Sequence, residues 1–182
     1  MDPKTFFNCY VSKINEIMEE GFVRGRNDPD ELDRSAYTFC FNVAMYEIAK
    51  SSNLSISVEC KTGKAYTDIA IYSEDETTKL IEIEHENIPS SNRNIEYENR
   101  MEKAVCGLME SGDPAKFCIV ITFHYKGYSR KKAISDFVRF SRAFPDGRSR
   151  LYMILSKEEY ENIDDFDLID SEGTVILNGI QA

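Results

Sequence analysis

Several features that would assign this chain of 182 residues to a familiar class are missing from it. No apolar run approaches the roughly eighteen residues that a membrane helix needs, and Met1-Asp2-Pro3-Lys4 lacks the hydrophobic region of a signal peptide. The five cysteines include no C-x-x-C pair, so buried free thiols are expected rather than zinc ligands or disulfides. No Gly-rich phosphate loop and no Ser-His-Asp order occurs. We therefore expect a soluble cytoplasmic protein without a membrane partner.

Length and hydrophobic periodicity predict one domain of α/β class. A chain with 42% hydrophobic residues is long enough for one packed domain and short for two. The predicted order is α-α-β-β-β-α-β-α-β plus a C-terminal hairpin, which indicates a mixed central sheet flanked by helices. The second helix is expected to begin at residue 33 or 35, after a loop over 23–33, and a short helix at residue 156.

Acidic residues interrupt two predicted strands between residues 67 and 87. Asp68 leads into the apolar run Ile69-Ala70-Ile71-Tyr72, and the next strand carries Glu82, Glu84 and Glu86. Because side chains alternate along a strand, the three glutamates should share one face, where they repel one another at roughly 7 Å. A divalent cation with hard oxygen ligands is the simplest compensation. A solvated strand face is the alternative explanation.

At these residues the chain resembles the PD-(D/E)xK, or restriction-endonuclease-like, nuclease superfamily. Thr67-Asp68-Ile69-Ala70-Ile71 looks like the family's Asp motif, and Glu82-Ile83-Glu84 stands where Glu-x-Lys follows it, with Glu84 in place of the lysine. The order of elements is similar to the family core over roughly residues 33–155. The resemblance implies a restriction-endonuclease-like core there, an N-terminal helix and loop in 1–32, and a C-terminal helix and hairpin in 156–182.

The resemblance also implies a metal-dependent phosphodiesterase, an endonuclease acting on DNA. Asp68, Glu82 and the backbone carbonyl of Ile83 would bind Mg²⁺ or Mn²⁺, with Glu84 as a further ligand or as the base for the attacking water. An alternative register makes Glu84 the ligand and puts Glu86 in the place of the lysine. The second-helix residue Glu47 is another candidate ligand, and an exposed, solvated glutamate is its alternative reading.

A cation from a neighbouring element could replace the missing lysine. The candidates are Lys103, which we take as the catalytic choice, and the hairpin residues Lys61 and Lys64. Arg100 lies one turn before Lys103, and the two could contact a scissile phosphate, whereas a surface ion pair with Glu96 or Glu102 is the alternative. The two histidines are weaker candidates. His85 should point away from the glutamates, and His124 follows the predicted core strand.

Positive charge is concentrated in one segment, although the whole chain carries a net charge of −10. Residues 126–150 include eight basic and two acidic residues, a local balance of +6 that leaves −16 for the remainder. Such a surface beside an acidic metal site suits phosphate binding, whereas a solvated helix face is the alternative. The predicted nucleic-acid-binding residues are Lys126, Arg130, Lys131, Lys132, Arg139 and Arg142.

Two other function classes stay open. The first is a catalytically inactive nuclease-fold protein that binds nucleic acid or protein, which the absent lysine favours. The second is a protein-binding module, favoured by the acidic remainder of the chain and its ten tyrosines. A homodimer is compatible with either class.

Overall fold

Helices and strands follow one another in the predicted order through the residues that the computed structural model describes, which are 1–19, 29–62, 65–86, 94–122, 128–157 and 165–179. The helices are α1 (Pro3–Glu19), α2 (Pro29–Ser51), α3 (Asn94–Met109) and α4 (Arg130–Ser141). The strands are β1 (Ser55–Thr62), β2 (Ala65–Tyr72), β3 (Lys79–His85), β4 (Phe117–Thr122), β5 (Leu151–Ser156), β6 (Phe166–Asp170) and β7 (Val175–Asn178).

All seven strands join one mixed sheet whose spatial order is the order in the sequence. The first three strands pair antiparallel, β3 to β5 pair parallel, and β5 to β7 pair antiparallel again. The parallel pairs require crossover connections, and α3 and α4 supply them. The predicted α/β class with a mixed sheet flanked by helices is therefore confirmed.

A separate apolar core covers each face of the sheet. On one face, residues of α1 and α2 pack on Ile81 and Ile83 of β3 and on Ile119 and Ile121 of β4. On the other face, residues of α3 and α4 pack on alternate positions of β4 and β5. Every residue of β4 is buried, as its continuous apolar sequence predicts for a strand covered on both sides.

Local sequence signals explain where several helices begin. The Ser129 side chain accepts a hydrogen bond from the Lys132 backbone N–H at 3.3 Å and caps α4, as predicted. The Asp2 carboxylate accepts from the backbone N–H groups of Lys4 and Thr5 at the start of α1. The predicted start of α2 was wrong by at least four residues, because Pro29 occupies the first helical position, where its missing N–H costs nothing.

Some sequence predictions fall partly or wholly outside the described residues. The short helix expected to begin at Ser156 does not begin there, because Ser156 is the last residue of β5, and the rest of that prediction, from residue 158 onward, lies outside the described residues. The candidates Lys64, His124 and Lys126 lie in other such segments, as does the side chain of Lys61. Cys9, Cys40, Cys106 and Cys118 are free thiols, two of them fully buried. None of the described helices is long and apolar enough to cross a membrane.

We expect Gly173→Ala to destabilise the turn between β6 and β7. Gly173 has a φ of 84°, and an added Cβ would stand 3.0 Å from a methyl group of Val138 on α4. Left-handed backbone costs an L-residue roughly 1–2 kcal/mol, so the free energy of unfolding in urea should fall by about that amount. Gly112→Ala is the matched control, because its Cβ would meet nothing within 4 Å. Equal stability of the two variants would contradict this account.

Candidate functional site

Glu82, the first glutamate of β3, is completely buried and already has a cationic partner. The Lys79 ammonium group, itself nearly inaccessible, donates to Glu82 Oε1 at 3.0 Å and to the Asp113 carbonyl at 2.7 Å. The Ser111 hydroxyl donates to the same Glu82 oxygen at 3.1 Å. The Glu82 carboxylate therefore belongs to an internal ion pair that ties the start of β3 to the segment following α3.

Asp68 and Glu84 lie side by side on the sheet face that carries α3 and α4. The β2–β3 register pairs Ala70 with Glu82, which brings Asp68 next to Glu84. Asp68 Oδ2 accepts a hydrogen bond from the His85 backbone N–H at 2.8 Å. The predicted common face is confirmed, since Glu82 and Glu84 pair with Cys118 and Val120, two residues of the second core.

Glu84 is the least compensated carboxylate of this face. Burial, the larger cause, and the neighbouring charges of Asp68, Glu86 and Glu82 together raise the pKa of Glu84 to about 9. Within the described part of the chain, no hydrogen bond or ion pair reaches its side chain. A half-buried carboxyl group among like charges thus has no donor to stabilise its ionised form.

Glu86 stands at the end of β3 between the acidic residues and two cations of α3. Burial raises the pKa of Glu86 to about 7, while Arg100 and Lys103 oppose that rise. Arg100 Nη1 lies 3.6 Å from Glu86 Oε2, and the Arg100 side chain is 38% exposed. Helix α3 therefore supplies the positive charge beside this site, as its crossover position over β2, β3 and β4 allows.

We define the carboxylate site as Asp68, Glu84 and Glu86 together with Arg100 and Lys103. Arg100 and Lys103 were candidates from the sequence, and Glu86 appeared there only in the alternative register. Lys79 was missed. The one available signal was its place at the start of an apolar strand, three residues before Glu82.

Glu47 and His85 lie away from the carboxylate site. Glu47 belongs to α2, in the layer on the opposite face of the sheet, and so it is not brought to Asp68. His85 also faces that layer, where its ring stacks on Phe41 at 4.3 Å between centroids. Burial lowers the pKa of His85 to about 3, so the ring is neutral. The predicted orientation of His85 is confirmed.

The predicted nucleic-acid surface on α4 is largely neutralised by acidic residues. Lys132 and Arg139 both form ion pairs with Glu98 and with Asp136. Arg130 forms an ion pair with Asp167. Lys131 and Arg142 are exposed, and within the described residues the side chain of neither forms a hydrogen bond or ion pair. Nucleic-acid binding by this surface stays a prediction.

Comparisons with protein-family models, curated proteins and solved structures find no match to this chain. Among the described residues, no three His, Cys, Asp or Glu side chains are grouped so that they could hold a metal ion together.

We expect Lys79→Met to be strongly destabilising, because it leaves the Glu82 charge buried without a partner. Removing one member of a buried ion pair costs about 3–5 kcal/mol, whereas replacing both members by apolar residues is often neutral. The double variant Lys79→Met/Glu82→Leu should therefore regain most of the lost stability in urea denaturation. If Lys79→Met alone unfolds like the wild type, the Lys79–Glu82 pair does not stabilise the fold.

We expect Glu84→Gln to stabilise the metal-free protein increasingly as the pH rises. The folded pKa of about 9 lies above the ordinary value of 4.5, so between these values the folded state retains a proton that the unfolded state releases. Wild-type stability therefore falls with rising pH over this window, and the glutamine does not titrate. Near pH 8 the variant should be more stable by on the order of 2 kcal/mol.

Thermal or urea unfolding in the presence of a chelator measures this difference. Glu74→Gln, a change of the same charge in the exposed turn before β3, is the control and should show no such pH-dependent gain. A stability difference between wild type and Glu84→Gln that stays constant from pH 5 to pH 9 would contradict the assignment.

Proposed function

We propose that the protein is a metal-dependent phosphodiesterase acting on nucleic acid, with DNA as its substrate, in which Asp68 and Glu84 hold Mg²⁺ or Mn²⁺. The observation that carries this proposal is the placement of the two carboxylates side by side on β2 and β3, with Glu84 lacking any donor among the described residues. Hard oxygen ligands of this kind suit both ions. Glu82, with its own ammonium partner, is left out of the ligand set.

The arrangement matches the second of the two registers that the sequence allowed. In that register Asp68 and Glu84 take the places of the two motif acids, and Glu86 takes the place of the lysine. Arg100 and Lys103 then bring positive charge from α3 to the position that lacks it. We therefore propose the resemblance to restriction-endonuclease-like proteins with Asp68 and Glu84, not Asp68 and Glu82, as the two motif acids.

The charge balance of the carboxylate site favours a phosphodiester. If a bound divalent ion keeps Asp68, Glu84 and Glu86 ionised, the three carboxylates, the two cations and the metal ion would together carry a net charge of +1. That value complements the single negative charge of a phosphodiester group. When bound, the ion would lower the pKa of a coordinated water and polarise a phosphoryl oxygen. Arg100 and Lys103 would orient the phosphate, and Glu86 would accept a proton from the water.

The position of the site in the sheet gives independent support. Glu84 and Glu86 lie where β3 ends, and β4 ends in the parallel register beside it. In open α/β sheets, ligands bind outside the carboxyl ends of such strands. The exposed residues Lys131 and Arg142 are available for further phosphate contacts. We propose the cytoplasm as the place where the protein would encounter DNA.

A catalytically inactive nuclease-fold protein is the second candidate function. The ion pair between Glu86 and Arg100 favours it, because both residues then neutralise each other at the position where the family motif has lysine. In that case the site would bind a metal ion or a nucleic acid without cleaving it.

Metal binding and DNA cleavage together test the proposal. Calorimetric titration with Mn²⁺ should show binding to the wild type and to Glu74→Gln, the exposed control, and loss of binding in Asp68→Asn and Glu84→Gln. Cleavage of single- and double-stranded DNA in Mg²⁺ or Mn²⁺ should fall at least tenfold in Glu84→Gln, equivalent to about 1.4 kcal/mol of transition-state stabilisation. Metal binding without cleavage would indicate the inactive protein. No metal binding by the wild type would refute the proposed site.

A further inference from the structure

Four charged side chains join α3 to α4. The Glu98 carboxylate of α3 accepts hydrogen bonds from Arg139 at 2.6 Å and from Lys132 at 3.3 Å. The same two cations contact Asp136 of α4, Lys132 at 2.7 Å and Arg139 at 3.4 Å. Each of the two carboxylates, Glu98 and Asp136, thus contacts both cations, Lys132 and Arg139. We call these four residues the α3–α4 clamp.

Asp136 anchors the clamp from inside the protein. Its residue is only 2% exposed, and its second oxygen accepts a hydrogen bond from the Tyr128 hydroxyl at 3.0 Å. A fixed buried carboxylate holds Lys132 and Arg139 in place, so little further conformational freedom is lost when they reach Glu98. Isolated ion pairs on a surface contribute little to stability, but a network with a buried member is stronger.

The clamp and the cations of the carboxylate site lie on different flanks of the same helix. Glu98 and Arg100 are two positions apart, which corresponds to about 200° around an α-helix. Glu98 points to α4, whereas Arg100 reaches Glu86 at the end of β3. Helix α3 therefore contacts α4 through Glu98 and the end of β3 through Arg100.

We propose that Glu98 is a positioning residue of the carboxylate site, and that the α3–α4 clamp sets where Arg100 and Lys103 stand relative to Glu86. The inference rests on the proposed function in so far as these two cations serve substrate phosphate. In this arrangement the positive charges of Lys132 and Arg139 join α3 to α4 and are not used to bind phosphate. Phosphate contacts on α4 are then left to the exposed residues Lys131 and Arg142.

A double-mutant cycle between Glu98→Gln and Arg100→Gln tests the positioning role without requiring activity. In the wild-type background Arg100→Gln removes the pair with Glu86. After Glu98→Gln, α3 no longer holds Arg100 beside the Glu86 carboxylate. Arg100→Gln should then lower the free energy of unfolding by less than it does in the wild-type background. The effect of Arg100→Gln on the unfolding equilibrium constant, measured in urea, should differ by at least about threefold between the wild-type and Glu98→Gln backgrounds. Glu110→Gln, which removes the same charge at an exposed position directly after α3, should be additive with Arg100→Gln.

Additive effects of Glu98→Gln and Arg100→Gln would overturn the positioning role. DNA cleavage gives a second readout: Glu98→Gln should lower kcat/KM at least about threefold, while Glu110→Gln leaves it unchanged. Wild-type activity retained in full by Glu98→Gln would also overturn the inference. If the wild type does not cleave DNA in any metal, the proposed function fails, whereas a coupled cycle still supports the clamp.

Discussion

Mutual repulsion among three carboxylates on one sheet face is the constraint on which the carboxylate site depends. Burial raises the pKa values of Glu84 and Glu86, the charge of Asp68 raises both in the same direction, and the charge of Glu86 also raises that of Glu84. A backbone N–H compensates Asp68 and the Arg100 guanidinium compensates Glu86, but the described residues offer Glu84 nothing comparable. Conflicts of this kind, in which local charge opposes a stable strand, are expected at functional sites.

Glu82 and Glu84 share one face of β3, but among the described residues only Glu82 has a cationic partner. This difference comes from tertiary structure. Period-two alternation predicted the common face of Glu82 and Glu84 correctly. It could not predict that Lys79 would turn toward Glu82, because that contact also depends on the Asp113 carbonyl, more than thirty positions further along the chain. The sequence motif favoured Glu82 as a ligand, whereas the packing leaves Glu84 as the uncompensated acid.

Charge that is segregated along the sequence is not segregated in space. Residues 126–150 predicted a basic surface, yet Glu98 from α3 and Asp167 from β6 neutralise much of it. These partners lie 34 to 41 positions away in the chain, beyond the reach of any local pattern. Helices and strands, by contrast, were predictable because their apolar periodicity is local, and the start of α2 was missed because Pro29 was interpreted as a loop residue instead of a first helical residue.

The direction of the crossover helices bears on the proposed function, in which Glu86 would stand where the resembled family has its lysine. Both α3 and α4 begin on the side of the sheet where β3 and β4 end, because each connects one parallel strand to the next. Their N-terminal ends therefore direct partial positive charge toward that edge. Arg100 and Lys103 add two full charges within the first three turns of α3. An anion approaching the carboxylate site thus meets positive charge from a helix end and from two side chains. If the carboxylates bind a cation as we propose, this positive charge would attract a phosphate without a lysine on the strand.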